Sequence, residues 1–176
     1  MEPTREVLWN ISHAWVMYAL LVPTMIVAGY GLYLRVRRWR RGQPASRFDR
    51  PWERLGRVVR MVLLQLPIWK QPLSGAFHSM LFWGFVTLTI ATTVVMVHHD
   101  FHIPIMQGRF YLYFQSLFVD IMGALAIIGI VIAGVQRWGI RPRRLVFTGE
   151  ASLILGLVFV ILVSGFLLEG WRIVVT

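Results

Sequence analysis

Long apolar runs alternate with arginine-rich polar segments along this chain. Four runs stand out, at about residues 7–34, 73–99, 111–138 and 150–171. A hydrocarbon core about 30 Å thick is crossed by roughly 20 apolar residues in a helix. The pattern therefore predicts an all-α integral membrane protein with four transmembrane helices, which form a single membrane domain over residues 1–176.

The segment at about residues 51–67 has a different pattern. Its apolar residues recur at helical spacing, and Arg50, Arg54, Arg57 and Arg60 fall on the other side. Such a segment is typical of an amphipathic helix in the headgroup plane, with its arginines toward anionic lipids or a partner subunit. The alternative is a cytoplasmic helix packed on a partner protein.

The positive charge lies in the connections between the runs. The segment from Arg35 to Lys70 holds eleven arginine and lysine residues, and the loop after the third run holds four, Arg137, Arg141, Arg143 and Arg144. Only Arg5, Arg109 and Arg172 belong to the other side. The positive-inside rule places the basic side in the cytoplasm, so both termini face outward across a bacterial or archaeal cytoplasmic membrane.

Composition narrows the chemistry further. The 176 residues are 57% hydrophobic and include no cysteine, which excludes disulfides and thiolate ligation of iron–sulphur clusters by this chain. The net charge of +10 is explained by membrane orientation and anionic headgroups. We therefore expect no nucleic-acid partner.

The second run carries histidines at both ends. His78 is the only ionisable side chain between Phe77 and Val97, and His98 and His99 follow at the far end. An imidazole inside a membrane span is costly without a partner, so each one is a functional hypothesis. One interpretation is that this helix supplies axial ligands to two haems stacked across the bilayer. The other is that His78 hydrogen-bonds to a neighbouring helix or reaches the interface.

The outer histidines differ in their helical position. At about 100° per residue, His99 falls about 60° from His78, whereas His98 falls on the opposite face. His102 follows Asp100 and is predicted to lie outside the helix. His99 is therefore the preferred outer ligand. His13 lies at a similar depth on the first run, either as a cross-helix partner for His99 or, as we favour, as a histidine in the headgroup layer.

Asp120 lies in the outer half of the third run. A carboxylate there suggests proton handling, for instance at a quinol site. The alternative is a structural ion pair or hydrogen bond. The glycines of the third and fourth runs permit close helix packing, and they equally leave room for a porphyrin edge.

Several short motifs resemble one known module in the same order. They are F-H-S-M-L-F-W-G-F-V-T-L-T-I from Phe77, H-D-F-H-I-P from His99 with G-R-F-Y after it, R-P-R-R-L from Arg141, and S-G-F-L-L-E-G-W-R-I from Ser164. The module is the membrane cytochrome b part of heterodisulfide-reductase-like iron–sulphur oxidoreductases, related to the gamma subunit of respiratory nitrate reductase. The resemblance covers the chain from about Arg54 to its C-terminus.

This resemblance implies a helical domain that binds b-type haem, one or two, between histidine-bearing helices. It implies electron transfer between menaquinone or ubiquinone and an iron–sulphur partner subunit, so the chain would be an electron-transfer subunit rather than a stand-alone enzyme. If the haem ligands of the family are carried over to this sequence, His78 would ligate the iron of the cytoplasm-side haem, and His99 or His98 would ligate that of the outer haem.

The sequence departs from the family in one respect. The family has a fifth span with two histidines that complete the axial pairs, whereas this sequence ends at Thr176 and its fourth run has no histidine. Three explanations are open: the chain is a fragment, a further membrane subunit supplies the histidines, or haem binding is reduced or lost. The rival function is a membrane anchor or assembly subunit of a respiratory complex, without a cofactor.

Overall fold

The computed structural model describes residue 7 and residues 11–42, 49–142 and 148–175, with side chains as far as residue 171. Four of its helices are long and apolar enough to cross a membrane, which confirms the prediction of a helical fold with four such helices. We name them α1 (Trp15–Arg40), α3 (Pro72–Asp100), α4 (Gly108–Ile140) and α5 (Gly149–Val175). A shorter helix, α2 (Pro51–Val58), lies between α1 and α3 in the chain.

Helix α1 is displaced along the chain from the predicted span at residues 7–34. It begins at Trp15, after a turn that contains His13, and it continues to Arg40. Arginine is a good helix former, so the hydrogen-bonded helix extends past the point where the apolar run stops. Residues 8–10 of the predicted span, and Arg143 and Arg144 of the basic loop, lie outside the described residues.

The segment predicted to be amphipathic is helical at first and then irregular. Helix α2 continues as a π-helical stretch, Val59–Leu63, and the chain then turns at Gln65, whose backbone φ is +53°. A left-handed residue commonly ends a helix, although glycine is the usual choice. A short 3₁₀ helix, Ile68–Lys70, leads into α3. The placement of α2 in the headgroup plane remains a prediction.

Helices α3 and α4 pack antiparallel through small residues. A Cβ atom built on Gly84 would lie 2.6 Å from Cβ of Ala126, and one built on Gly129 would lie 3.0 Å from the carbonyl oxygen of Phe77. Residue numbers increase from Phe77 to Gly84 on α3 while they decrease from Gly129 to Ala126 on α4, so the two helices are antiparallel. Without these glycines, the two backbones would have to lie farther apart.

Helix α5 also packs on α4, against a core that it shares with α3. A Cβ atom on Gly123 would lie 3.0 Å from the Phe166 ring, and the buried core is formed by Ala126, Ile130 and Leu162. Helix α4 is itself not uniformly α-helical, since Tyr111–Phe118 and Val135–Ile140 are π-helical. The polar residues Gln115 and Gln136 are buried in those two stretches.

The chain divides into two compact units, Glu6–Gly56 and a larger unit that contains Arg57–Thr176. The first contains α1, on which none of the described side chains is buried. The second contains α3, α4 and α5, and every group discussed below as a site, except His13, belongs to it.

Candidate functional site

The imidazole of His78 is held by a buried glutamine. Oε1 of Gln65 lies 3.0 Å from Nδ1 of His78 and also accepts a hydrogen bond of 3.1 Å from the Ser79 hydroxyl. Gln65 is only 3% exposed. An amide oxygen only accepts, so this contact requires the proton of a neutral His78 on Nδ1. The lone pair is then on Nε2, the nitrogen available to a metal.

A close contact at the start of α3 holds the Gln65 segment against the helix. Gly75 is buried, and a Cβ atom there would lie 3.0 Å from Cα of Trp69 and 3.1 Å from its ring. The missing side chain lets residues 64–71 pack directly on α3. In this way Gly75 sets the position from which Gln65 reaches His78.

His78 stands at one end of an open apolar groove along α3. The groove encloses about 580 Å³ and is lined by His78, Leu81, Phe82, Phe85, Val86, Thr89 and Ile90. All of these residues belong to α3, so the groove is an open surface and not an enclosed site. Thr89 donates its hydroxyl proton to the carbonyl of Phe85 at 2.7 Å, so its polar group is satisfied within the helix. The wall therefore behaves as apolar surface with one imidazole at its end.

The exposed face of α3 continues from this groove to His99. His78, Phe85, Thr89, Met96 and His99 are all exposed, and their successive intervals of seven, four, seven and three residues keep them on one helix face. At 1.5 Å per residue, the two histidines are about 32 Å apart along the axis. The structure thus places His78 and His99 on one face of α3.

His98 has a different environment from its neighbour. It is half-buried, and its Nδ1 lies 3.0 Å from the carbonyl oxygen of Ile103 and 3.5 Å from the backbone nitrogen of Met106. These contacts fasten the loop between α3 and α4. His102, with φ of +54°, lies beyond the end of α3 as predicted.

The remaining predicted site residues lie elsewhere. His13 is in the turn before α1, in the other unit of the chain. Asp120 lies in the first turn of the α-helical part of α4 and has an interaction partner. Among the described residues, no three His, Cys, Asp or Glu side chains are grouped as a metal site.

A second cavity, which we call the basic-end cavity, also contains His78. It encloses about 340 Å³ where the start of α3 meets the end of α4 and the start of α5, and its lining comprises Ile68, Gln71, Ser74, Phe77, His78, Ala133, Gln136, Arg137, Ala151 and Leu155. The Gln136 amide donates to the Ser74 hydroxyl at 3.3 Å. Arg137 donates to the Ser152 hydroxyl at 3.3 Å and to the Thr148 carbonyl at 3.2 Å.

Sequence reasoning missed the glutamines. Gln65, Gln115 and Gln136 are each at most 7% exposed, and each interrupts an otherwise apolar stretch. A neutral amide in a membrane helix is a weaker signal than an imidazole, but it is costly to bury for the same reason. Each such glutamine was therefore a detectable candidate for a buried polar contact.

Comparison with known proteins gives one informative similarity. The chain is 32% identical over 174 residues to the EtfAB:quinone oxidoreductase of Syntrophomonas wolfei subsp. wolfei. The alignment covers 97% of this chain and 24% of that protein, so the chain spans about a quarter of the relative's length. No protein-family model matches the chain, and no solved structure matches it significantly. The similarity thus links this membrane domain to a quinone oxidoreductase.

Proposed function

We propose that this chain is the membrane module through which a redox complex exchanges electrons with the quinone pool, using b-type haem bound at α3. The similarity to a quinone oxidoreductase supports the quinone-linked role. The observation that carries the haem assignment is the contact of 3.0 Å between Gln65 and His78. Metal-bound histidines characteristically donate their second ring N–H to a partner that fixes the tautomer and the ring orientation.

The groove beside His78 fits this assignment. Its apolar lining would face a porphyrin, Nε2 of His78 would bind the iron, and Phe82 and Phe85 would pack on the macrocycle. His99, on the same face, is the corresponding candidate at the outer end. Haem iron held by two imidazoles has no open position, so bound haem would supply one-electron transfer rather than oxygen chemistry.

A second histidine ligand would have to come from outside α4 and α5, because neither helix contains a histidine. The exposed face of α3 is open to a further helix. Since the chain matches only a quarter of its relative, we propose that further protein, in the same chain or in a partner subunit, covers this face with the missing histidines. The proposed redox partner is an iron–sulphur subunit, which binds on the basic, cytoplasmic side of the membrane. Both termini of this chain then lie outside the cytoplasm, and anionic lipids surround its arginines.

The test is a dithionite-minus-oxidised visible spectrum of the purified complex, with haem quantified as its pyridine haemochrome. The variants are His78→Ala and His99→Ala, and the control is His102→Ala in the loop. We expect a b-type α band that decreases in the first two variants and is unchanged in the third. A complex without this band, or with a band indifferent to both substitutions, would refute haem binding by α3.

The rival function, a cofactor-free anchor, is favoured by the absence of histidine from α4 and α5. It predicts that His78→Ala and His99→Ala leave both the spectrum and the electron-transfer rate of the complex unchanged. It also predicts that the complex dissociates when the arginine side of α2 is neutralised. The same preparations therefore distinguish the two functions.

A further inference from the structure

We infer that the basic-end cavity binds the ring of a quinone, directly beside His78. This inference rests on the proposed quinone-linked function and adds a location to it. His78 lines both the groove along α3 and the basic-end cavity. A ring bound in the cavity would therefore contact the same imidazole that we assign to the haem.

The chemistry of the lining suits a ring that exists in two redox forms. Gln136 is 7% exposed and donates one amide proton to Ser74 at 3.3 Å. Its amide group has a second N–H and an oxygen. A quinone carbonyl accepts a hydrogen bond and a quinol hydroxyl donates one, so a single amide can serve both forms. The described residues that line the cavity include no carboxylate that would repel an oxygen-rich ring.

The arginine beside the cavity is held in place before any ligand binds. The Arg137 guanidinium donates to the Ser152 hydroxyl and to the Thr148 carbonyl, which fixes it between α4 and α5. A hydrogen bond that a guanidinium donates to an acceptor oxygen is stronger than one from a neutral donor. The other walls, from Ile68, Phe77 and Leu155, are apolar and match the carbon face of a ring.

The size and position also fit. A cavity of about 340 Å³ is at the small end of the range for ligand sites, which suits a one- or two-ring headgroup rather than a whole isoprenoid quinone. The cavity lies at the ends of three helices, where a headgroup can enter from the interface while its tail stays in the lipid. An anionic lipid headgroup is the competing occupant because of Arg137.

The test is a binding titration of the purified full complex with 2-heptyl-4-hydroxyquinoline N-oxide, a fluorescent quinol analogue. Gln136→Leu removes the amide at similar volume, and Ala151→Phe fills the cavity from α5. The controls are Gln107→Leu, in the loop between α3 and α4, and Ser164→Ala, whose hydroxyl donates to the Ile161 carbonyl on an exposed part of α5. Visible spectra and thermal unfolding are recorded on the same samples.

We expect Gln136→Leu to weaken binding about three- to tenfold, the usual cost of one hydrogen bond. Ala151→Phe should abolish binding, and both controls should bind as the wild type does. Unchanged affinity in Gln136→Leu and in a folded Ala151→Phe variant would overturn the cavity assignment while leaving the haem spectrum, and so the proposed function, intact. If Ala151→Phe fails to fold, the Gln136→Leu result decides.

The lipid alternative is separated by repeating the titration in nanodiscs of phosphatidylcholine alone and of phosphatidylcholine with phosphatidylglycerol. Equal affinity in both supports a quinone site. Affinity that falls in proportion to phosphatidylglycerol would show that the cavity is a headgroup site and would overturn the inference. A wild-type complex without haem would refute the proposed function, yet the titration would still report on the cavity.

Discussion

The amide oxygen of Gln65 lies 3.0 Å from Nδ1 of His78, thirteen residues further along the chain. Gln65 holds this position with a backbone φ of +53°, a conformation that non-glycine residues adopt only at a cost of order 1 kcal/mol. A residue that bears backbone strain to reach an imidazole is more simply explained by a functional contact than by helix termination. Glycine would end the helix more cheaply.

Gln65→Gly separates these two roles, because glycine accepts the left-handed conformation and removes the amide. We expect the variant to fold normally but to retain haem about tenfold less tightly, since the tautomer of His78 is no longer fixed. Haem retention during detergent dilution measures this. His102→Gly, at a second left-handed position, is the control. Equal retention in Gln65→Gly and wild type would show that the contact is structural only.

Gln65→Glu should strengthen the hydrogen bond to Nδ1 of His78, whereas Gln65→Gly removes it. A carboxylate accepts the Nδ1–H bond more strongly and makes the ligating nitrogen more basic. The reduction potential of the haem at His78 should therefore fall, while a haem at His99 should keep its potential. A potentiometric titration followed at the α band checks this, and a potential that stays constant or rises would contradict it.

Gly84 is predicted to be the least substitutable glycine of the α3–α4 contact. An added methyl group would lie 2.6 Å from Cβ of Ala126 and 3.1 Å from the carbonyl oxygen of Met122, so backbones would have to move. We expect Gly84→Ala to cost about 1–3 kcal/mol of unfolding free energy. Gly156→Ala on α5 has nothing within 4 Å and should be neutral or slightly stabilising. Thermal unfolding in detergent compares the pair, and similar midpoints would contradict the packing.

Gln115 should be a destabilising residue. Its side-chain oxygen is buried without a hydrogen-bond partner among the described residues. Leucine has a similar volume and removes that burden, so Gln115→Leu should raise the unfolding free energy by about 1 kcal/mol. The midpoint of thermal unfolding is again the measurement. A lower midpoint would indicate that the oxygen has a partner, such as water or a cofactor, in the assembled complex.

Substitution of His98 should lower the stability of the fold, whereas substitution of His99 should lower the haem content. His98→Ala removes the contact with the Ile103 carbonyl and should destabilise the fold by about 1 kcal/mol. His99→Ala lies on an exposed face and should change stability by less than about 0.5 kcal/mol, while it lowers haem content. Measuring both quantities on both variants decides the assignment. A loss of haem confined to His98→Ala would reverse it.

Hydropathy was enough to predict four long helices and the loop position of His102, because lipid demands a continuous apolar helix. Hydropathy predicted the start and end of α1 inaccurately, because the limits of an apolar run do not coincide with the limits of the hydrogen-bonded helix. Helical arithmetic also placed His78 and His99 on one face. That step required only a regular α-helix, and α3 is one throughout its 29 residues.

Other features were out of reach from sequence. The π-helical stretches of α4, in which Gln115 and Gln136 are buried, add no recognisable change to an apolar pattern. The contact of Gln65 depends on a left-handed turn and on the absence of a side chain at Gly75. Both features depend on tertiary structure, and the hydrophobic periodicity of the sequence does not predict them.

The two sides of α3 have consequences for how this module can diverge. The side toward α4 is constrained at Gly84 by a close contact with Ala126, so a larger residue there lowers the stability of the fold. The positions between His78 and His99 on the other face, Phe85, Thr89 and Met96, are exposed. Substitutions on it can therefore accumulate without cost to the helix pair, and descendants of one scaffold can acquire different partners or cofactors on the same helix.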